Sequence, residues 1–281
     1  MNSIYLMGGL GNQLFQIYTL IAYCLEHNKS FKFSETLKSG KKRYTYWDSF
    51  LKNLKGYVIP NNSIDKLPFY NEKSFSYNKI QNIDTNMLLY GYFQSYKYFE
   101  NHYESINKII GIEDIKQLIK EENNELLNKE ENQLLISLHF RLGDYKSLQD
   151  YHPIMKLEHY INSIKYIISN NVNKKYKILY FCEKNDNDIV QNNIINIKNH
   201  IDNNINIEFI KVNDIIEDWK QMLIMSLCDC NIIANSTFSW WGAYFNNNDN
   251  KIVCYPNVWF GKKIKDKNNV QDLFPENWTK I

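Results

Sequence analysis

Three segments combine residue types that could do chemistry at the end of an apolar strand. In His139-Phe140-Arg141-Leu142-Gly143-Asp144-Tyr145 the apolar run Leu134–Leu138 delivers His139, Arg141 and Asp144 to one point. An arginine there can make charge-assisted, bidentate bonds to a diphosphate and stabilise charge on a departing group. Asp144 can hold Arg141 or His139 in place, or serve as a helix cap or turn residue. In Asn235-Ser236-Thr237-Phe238-Ser239-Trp240-Trp241-Gly242, entered from Asn231–Ala234, hydroxyls gather where a helix begins. They offer donors to phosphate oxygens in addition to the backbone amides. Phe238 can stack on a base, although an aromatic after a strand is more often core, and Trp240 and Trp241 read chiefly as packing residues. Gly8-Gly9-Leu10-Gly11-Asn12-Gln13 sits between a strand and a helix, where amides can receive an anion or a sugar hydroxyl. A tight turn alone is the competing reading. The full GxGxxG spacing is missing and no acidic residue clearly ends the second strand, so a nicotinamide dinucleotide site is a weak reading.

The elements that must position these residues follow from hydrophobic pattern. Ile4 to Met7 reads as a buried strand, Gln13 to Leu25 as a helix and Ser30 to Phe33 as the next strand, a doubly wound βαβ opening. The region 34–130 is harder to resolve, with a short strand at Met87–Tyr90 and a helix within 113–129. The charged, Asn-containing stretch 121–133 is the best domain boundary. Apolar strands then recur at 134–140, 177–182, 206–211, 231–234 and 251–255, separated by helical patterns at 156–169, 186–198, 217–228 and 238–246. Such alternation implies a parallel sheet with helices on both faces, and ligands that bind beyond the carboxyl ends of its strands.

Composition narrows the function classes. The chain has 281 residues, 44% hydrophobic and 23% charged, with a formal net charge of only +2, so it is a globular protein in which nothing demands nucleic acid. Its five cysteines form no CxxC pair, and Cys228 and Cys230 are too close for a good zinc geometry. Buried free thiols in a reducing compartment are expected instead. No segment approaches the roughly 20 apolar residues that cross a bilayer. No charged and apolar leader opens the sequence, so a cytoplasmic location is expected, with peripheral membrane contact and the oligomeric state left open.

Taken in order, the segments GGLGNQLFQ, GYFQSYKYF at 91–99, HFRLGDY, HPIMKLEHY at 152–160, NIIANSTFSWWGAYF at 231–245 and DLFPENW at 272–278 resemble the α-1,2-fucosyltransferases of glycosyltransferase family 11. The resemblance spans nearly the whole chain. It implies an α/β, GT-B-like fold of two Rossmann-like domains with parallel sheets and a cleft between them. Residues 1–130 would form the acceptor-side domain and 131–281 the GDP-fucose-binding one, with a final helix packing back on the first. The implied reaction is inverting, metal-independent transfer of L-fucose from GDP-fucose to a sugar hydroxyl of a glycan acceptor, without a cofactor. Arg141 matches the family's pyrophosphate-binding arginine, with His139 and Asp144 as its motif partners. Asn12 matches the asparagine of the GNQ turn, beside Gly9 and Gly11, which faces the donor sugar and reaction centre. Ser236, Thr237 and Phe238, after Asn235, match the segment that holds phosphate and nucleotide.

One departure stands out. Where family members commonly carry FSDD, this chain has Phe181-Cys182-Glu183-Lys184, so Glu183 keeps one acid and Lys184 reverses a charge. Asp186-Asn187-Asp188 is formally a metal-binding DxD string, but its place before an amphipathic run favours Asp186 as a helix cap. Arg141 then takes the neutralising role of a cation. The general base remains among His139, Asp144 and Glu183, or water.

Overall fold

The computed structural model describes residues 1–35, 44–60 and 63–281. The chain divides into two compact units, Met1–Ile115 with Lys267–Pro275, and Lys116–Asp266 with Glu276–Ile281. The division between them falls at Ile115/Lys116, inside a helix.

In unit 1 the strands are short. β1 (Ser3–Ile4) leads through the glycine turn to α1 (Leu10–Glu26), then β2 (Phe33–Ser34), β3 (Val58–Ile59), β4 (Phe69–Asn71) and β5 (Leu88–Tyr90). All pairings are parallel: β1, β5 and β4 form one sheet in that order, and β2 pairs with β3. Helix α1 is apolar nearly all round, with Leu14, Phe15, Ile17, Tyr18, Leu20 and Ile21 fully buried, as befits a helix enclosed by its unit. α2 (Tyr103–Ile110) ends on Gly111, whose left-handed φ of 81° lets its N–H return to Asn107 O. α3 (Ile112–Glu122) begins immediately after it.

After the single-turn α4 (Asn124–Leu127), unit 2 alternates β6 (Gln133–His139), α5 (Leu157–Ser169), β7 (Lys175–Phe181), α6 (Asn187–Lys198), β8 (Ile207–Lys211), α7 (Asp218–Ser226), β9 (Cys230–Ile232), α8 (Thr237–Tyr244), β10 (Val253–Tyr255) and β11 (Thr279–Lys280). They form a six-stranded parallel sheet in the order β11-β10-β9-β6-β7-β8. The expected α/β architecture with parallel sheets is therefore present. Central β6 and β7 are buried on both faces, which is why residues 134–138 and 178–181 read as near-continuous apolar runs. Ile136, Leu138, Ile164, Ile178, Val190, Ile194 and Ile232 build the core on one side of the sheet. On the other, Gly242 lets α8 approach α7: a Cβ there would come within 2.9 Å of Met225 Cβ. Trp240 and Trp241 are fully buried, in the packing role expected of them.

The last sequence block serves both units. Asp272 belongs to unit 1, where it pairs with Lys97 at 2.6 Å and accepts the Tyr77 N–H at 3.1 Å. Trp278 belongs to unit 2, where it packs on Trp240 with ring centroids 5.4 Å apart. No α-helix follows α8 among the described residues, where residues 268–275 carry turns and bends, so the expected final helix is not formed.

Candidate active site

In unit 2 the parallel register places His139 opposite Phe181 at the carboxyl ends of β6 and β7. Two residues beyond each strand, Arg141 meets Glu183. The guanidinium is forked: Nη1 bonds Glu183 Oε1 and Nη2 bonds Asp144 Oδ1. Its plane lies over Tyr145, 5.0 Å from the ring centroid, and Tyr145 in turn stacks on His152 at 4.9 Å. The guanidinium is thus largely enclosed while both carboxylates stay half-exposed. Asp144 holds Arg141 and not His139, which resolves one alternative left open by the sequence.

The loop that carries Arg141 is pinned from below by Asp186. This carboxylate occupies the N-cap position of α6 but makes no capping bond. Only 1% exposed, it accepts the Gly143 N–H at 2.8 Å and lies 2.5 Å from Lys146 Nζ. The expected helix cap is therefore corrected: with the short 3-10 turn Lys184–Asp186 leading into α6, the side chain reaches the Arg141 loop and leaves the helix's own amides. Gly143 has a positive φ of 38° and faces Glu183, whose Oε2 would lie 2.8 Å from a Cβ at this position. Only glycine lets the loop lie so close to that acid.

His139 is buried, its Nδ1 has no hydrogen-bond partner among the described residues, and its ring lies 5.6 Å from that of Phe238. Burial, with Arg141 as a lesser cause, pushes its pKa down to about 3, so the imidazole is neutral near pH 7. Ser236 caps α8, accepting the Phe238 N–H at 3.3 Å. Asn235 is a brace: its Nδ2 donates to Pro153 O at 2.9 Å and Trp259 O at 3.2 Å, and its carbonyl receives the Tyr145 hydroxyl at 3.2 Å. Thr237 and Phe238 are half-buried on the first turn of α8. The 152–160 block, given no role from sequence, supports this edge through His159, whose Nε2 meets Ile233 O at 2.9 Å. The fold thus brings together His139, Arg141, Asp144, Glu183 and the 235–238 segment within unit 2.

Gly9, Gly11 and Asn12 lie in unit 1. Gly9 is the N-cap of α1, and the Gly8 carbonyl accepts from Gln13 Nε2 at 3.1 Å. Gly8 has a φ of 78°, and a Cβ there would come 2.4 Å from Asn12 Nδ2. Asn12 Oδ1 accepts from Gln94 Nε2 at 2.9 Å, so the GYFQ segment orients this asparagine.

Among the described residues no group of three or more His, Cys, Asp and Glu side chains is disposed to hold a metal ion. No helix among them is long and apolar enough to cross a membrane. All five cysteines are free and buried, as expected.

Residues 1–281 match the family model for Glycosyl transferase family 11. The chain is 28% identical over 305 aligned residues to an alpha-1,2-colitosyltransferase of Escherichia coli, covering 98% of this chain and 97% of that protein. It is 29% identical over 217 residues to the O-antigen biosynthesis glycosyltransferase WbnK of Escherichia coli, covering 75% and 67%. Among solved structures, the fucosyltransferase NodZ from Bradyrhizobium aligns with a TM-score of 0.47 and 10% identity over 85% of this chain and 91% of that one. Escherichia coli ADP-heptose LPS heptosyltransferase II aligns at 0.49 and 9% over 100% and 90%. With the family model matching from the first residue to the last, the chain belongs to glycosyl transferase family 11 and is a glycosyltransferase.

Proposed function

We propose that this enzyme transfers L-fucose from GDP-β-L-fucose to O2 of a galactose-type acceptor, with inversion and without a metal ion, in a GT-B-like arrangement. Unit 2 would hold the donor and unit 1 the acceptor. The observation that carries this reading is the forked, largely enclosed Arg141 guanidinium at the carboxyl edge of the six-stranded sheet. A planar cation there matches the paired oxygens of a pyrophosphate and neutralises the charge that develops as GDP leaves. Asp144 and Glu183 keep the fork aligned before the donor arrives. The first turn of α8 offers its amides and the Thr237 hydroxyl to phosphate oxygens, with Phe238 and neutral His139 beside them as a flat surface and a hydrogen-bonding ring nitrogen for the nucleotide.

The acceptor oxygen would attack the anomeric carbon from the face opposite GDP, forming a carbon–oxygen bond as the bond to the β-phosphate breaks and its electron pair leaves with GDP. Positioning and leaving-group stabilisation supply most of the acceleration. The colitosyl-transferring relative favours one second reading, transfer of another GDP-deoxyhexose by the same site. Five unpaired cysteines support action in the reducing cytoplasm.

Release of GDP from GDP-fucose, measured in EDTA with and without galactose-terminated acceptors, tests the proposal. Acceptor-stimulated release that survives EDTA and collapses in Arg141→Ala supports it. GDP binding without turnover of any GDP-sugar would leave a sugar-nucleotide-binding protein instead.

A further inference from the structure

Helix α1 leaves the glycine turn near Asn12 and runs back along unit 1, so its second half lies well away from that turn. Thr19, Tyr23 and Glu26, spaced to share one helix face, line a cleft there. At the rise of an α-helix, Thr19 lies about 10 Å and Glu26 about 21 Å along the axis from Asn12. The remaining lining comes from the 77–80 and 97–102 segments, which belong to the same unit.

These walls are tied in place by bonds of their own. Asp272 accepts the Tyr77 N–H at 3.1 Å and pairs with Lys97 at 2.6 Å. The Tyr98 hydroxyl accepts the Asn78 N–H at 3.1 Å, and the Tyr23 hydroxyl accepts the Ile83 N–H at 3.3 Å. Each phenol is the acceptor in these bonds and keeps its own O–H to donate. Glu26 and Lys79 pair at 2.8 Å with both side chains exposed, and they retain acceptor and donor capacity beyond that one bond. The most buried lining residue is Thr19, 1% exposed, and its Oγ1 has no hydrogen-bond partner among the described residues. A helical threonine ordinarily satisfies its hydroxyl on a carbonyl of the preceding turn, and an interior hydroxyl left unpaired is costly. Here it lines a cleft instead.

The chemistry of the lining selects a ligand class. Both lysines are matched by carboxylates, Lys79 by Glu26 and Lys97 by Asp272, which leaves only His102 in the lining to attract an anion. Hydroxyl, carboxylate and ammonium groups instead surround the half-buried, edge-to-face rings of Tyr77 and Tyr98, with centroids 4.9 Å apart. A pyranose offers the complement: hydroxyls that donate and accept around its edge, and C–H groups whose partly positive hydrogens are drawn to an aromatic face. The volume open to water is about 50 Å³. That is room for about four waters, which suits one edge of a sugar ring with the rest outside.

We propose that this cleft is a saccharide subsite that seats one edge of a neutral hexopyranose, with the hydroxyls of Thr19, Tyr23 and Tyr98 bonding the sugar's oxygens. It goes beyond the transfer reaction and does not depend on which sugar nucleotide is the donor.

The test follows the amide signals of Tyr23, Tyr77 and Tyr98 in full-length, isotopically tyrosine-labelled protein during titration with the methyl glycosides of galactose, glucose and fucose. At least one glycoside should shift all three signals with a Kd of about 1–10 mM. Thr19→Val removes an unpaired hydroxyl, so it should keep the wild-type Tm while raising that Kd at least about fivefold. Asn101→Trp, at an exposed lining position, should close the cleft and abolish the shifts. An oligosaccharide that shifts the same signals at least about tenfold more tightly would identify a unit of a longer glycan as the occupant; equal affinity would identify a single sugar. The proposal is overturned if no glycoside moves the three signals up to about 50 mM, or if both variants keep the wild-type Kd within about twofold. Inorganic phosphate that displaces the glycoside or moves the signals in its place would also overturn it, making the cleft an anion site.

Discussion

Replacing Arg141 should separate catalysis from stability. Its partners Asp144 and Glu183 are 51% and 52% exposed, so each ion pair is screened by water and worth about 0–1 kcal/mol. Packing over Tyr145 at 5.0 Å adds about 0.5–1 kcal/mol. Arg141→Ala should therefore cost about 1–2 kcal/mol of stability, a Tm shift of about 2–8 °C at this chain length. Loss of a fixed donor to the departing diphosphate should cost far more in rate, about 10²–10³-fold in kcat or 2.7–4 kcal/mol. Arg141→Lys restores charge but not the fork, so it should recover the Tm and leave most of the rate lost. The assay is GDP release at saturating donor alongside thermal melts of the same preparations. An alanine variant that keeps kcat within about threefold of wild type would refute the assignment of Arg141 to the leaving group.

Acid should loosen the fold through His139 and His159, whose pKa values burial pushes down to about 3 and about 4. Unfolded imidazoles titrate near 6.5, so below that pH the unfolded chain binds protons that the folded chain does not, and stability falls as pH drops toward 4. Each histidine contributes about 1.4 kcal/mol per pH unit in that window, and urea midpoints at several pH values should show a shallower slope in His159→Gln. Gly8→Ala should cost about 1–2 kcal/mol through its φ of 78° and lower kcat/KM at least tenfold by displacing Asn12, whereas Gly56→Ala, with nothing within 4 Å of the added Cβ, should leave kcat/KM unchanged. Burial raises the thiol pKa of all five cysteines, so a thiol reagent at pH 8 should label none in the native protein and all five in urea.

Much of unit 2 was legible in the sequence. The run expected at 134–140 is β6 at Gln133–His139, and the strand expected at 177–182 is β7 at Lys175–Phe181. Strands buried on both faces are mostly apolar, as at Leu134–Ile136 and Ile178–Phe181, and the residue that ends each apolar run marks the ligand edge. Unit 1 was far less legible because strands of two or three residues, such as Phe33–Ser34 and Val58–Ile59, are too short to carry a periodic signal. Their partners are also remote in the chain, with Ser3 pairing with Leu88.

For the candidate site, residue types and order were enough to single out Arg141, His139, Asn12 and the 235–238 segment, because His139 ends a strand and the others come after one. What each side chain does was decided by tertiary contacts. Asp186 reads as a helix cap from its position, yet its carboxylate is spent on Gly143 and Lys146, since β6 and β7 are neighbours in the sheet and bring the two loops together. Sequence by itself determined the burial pattern, and hence the strands and their ligand ends, because burial depends on residue type. The tertiary structure alone decided which charge meets which and how far burial moves a pKa, because electrostatic interactions depend on distances that residue order does not contain.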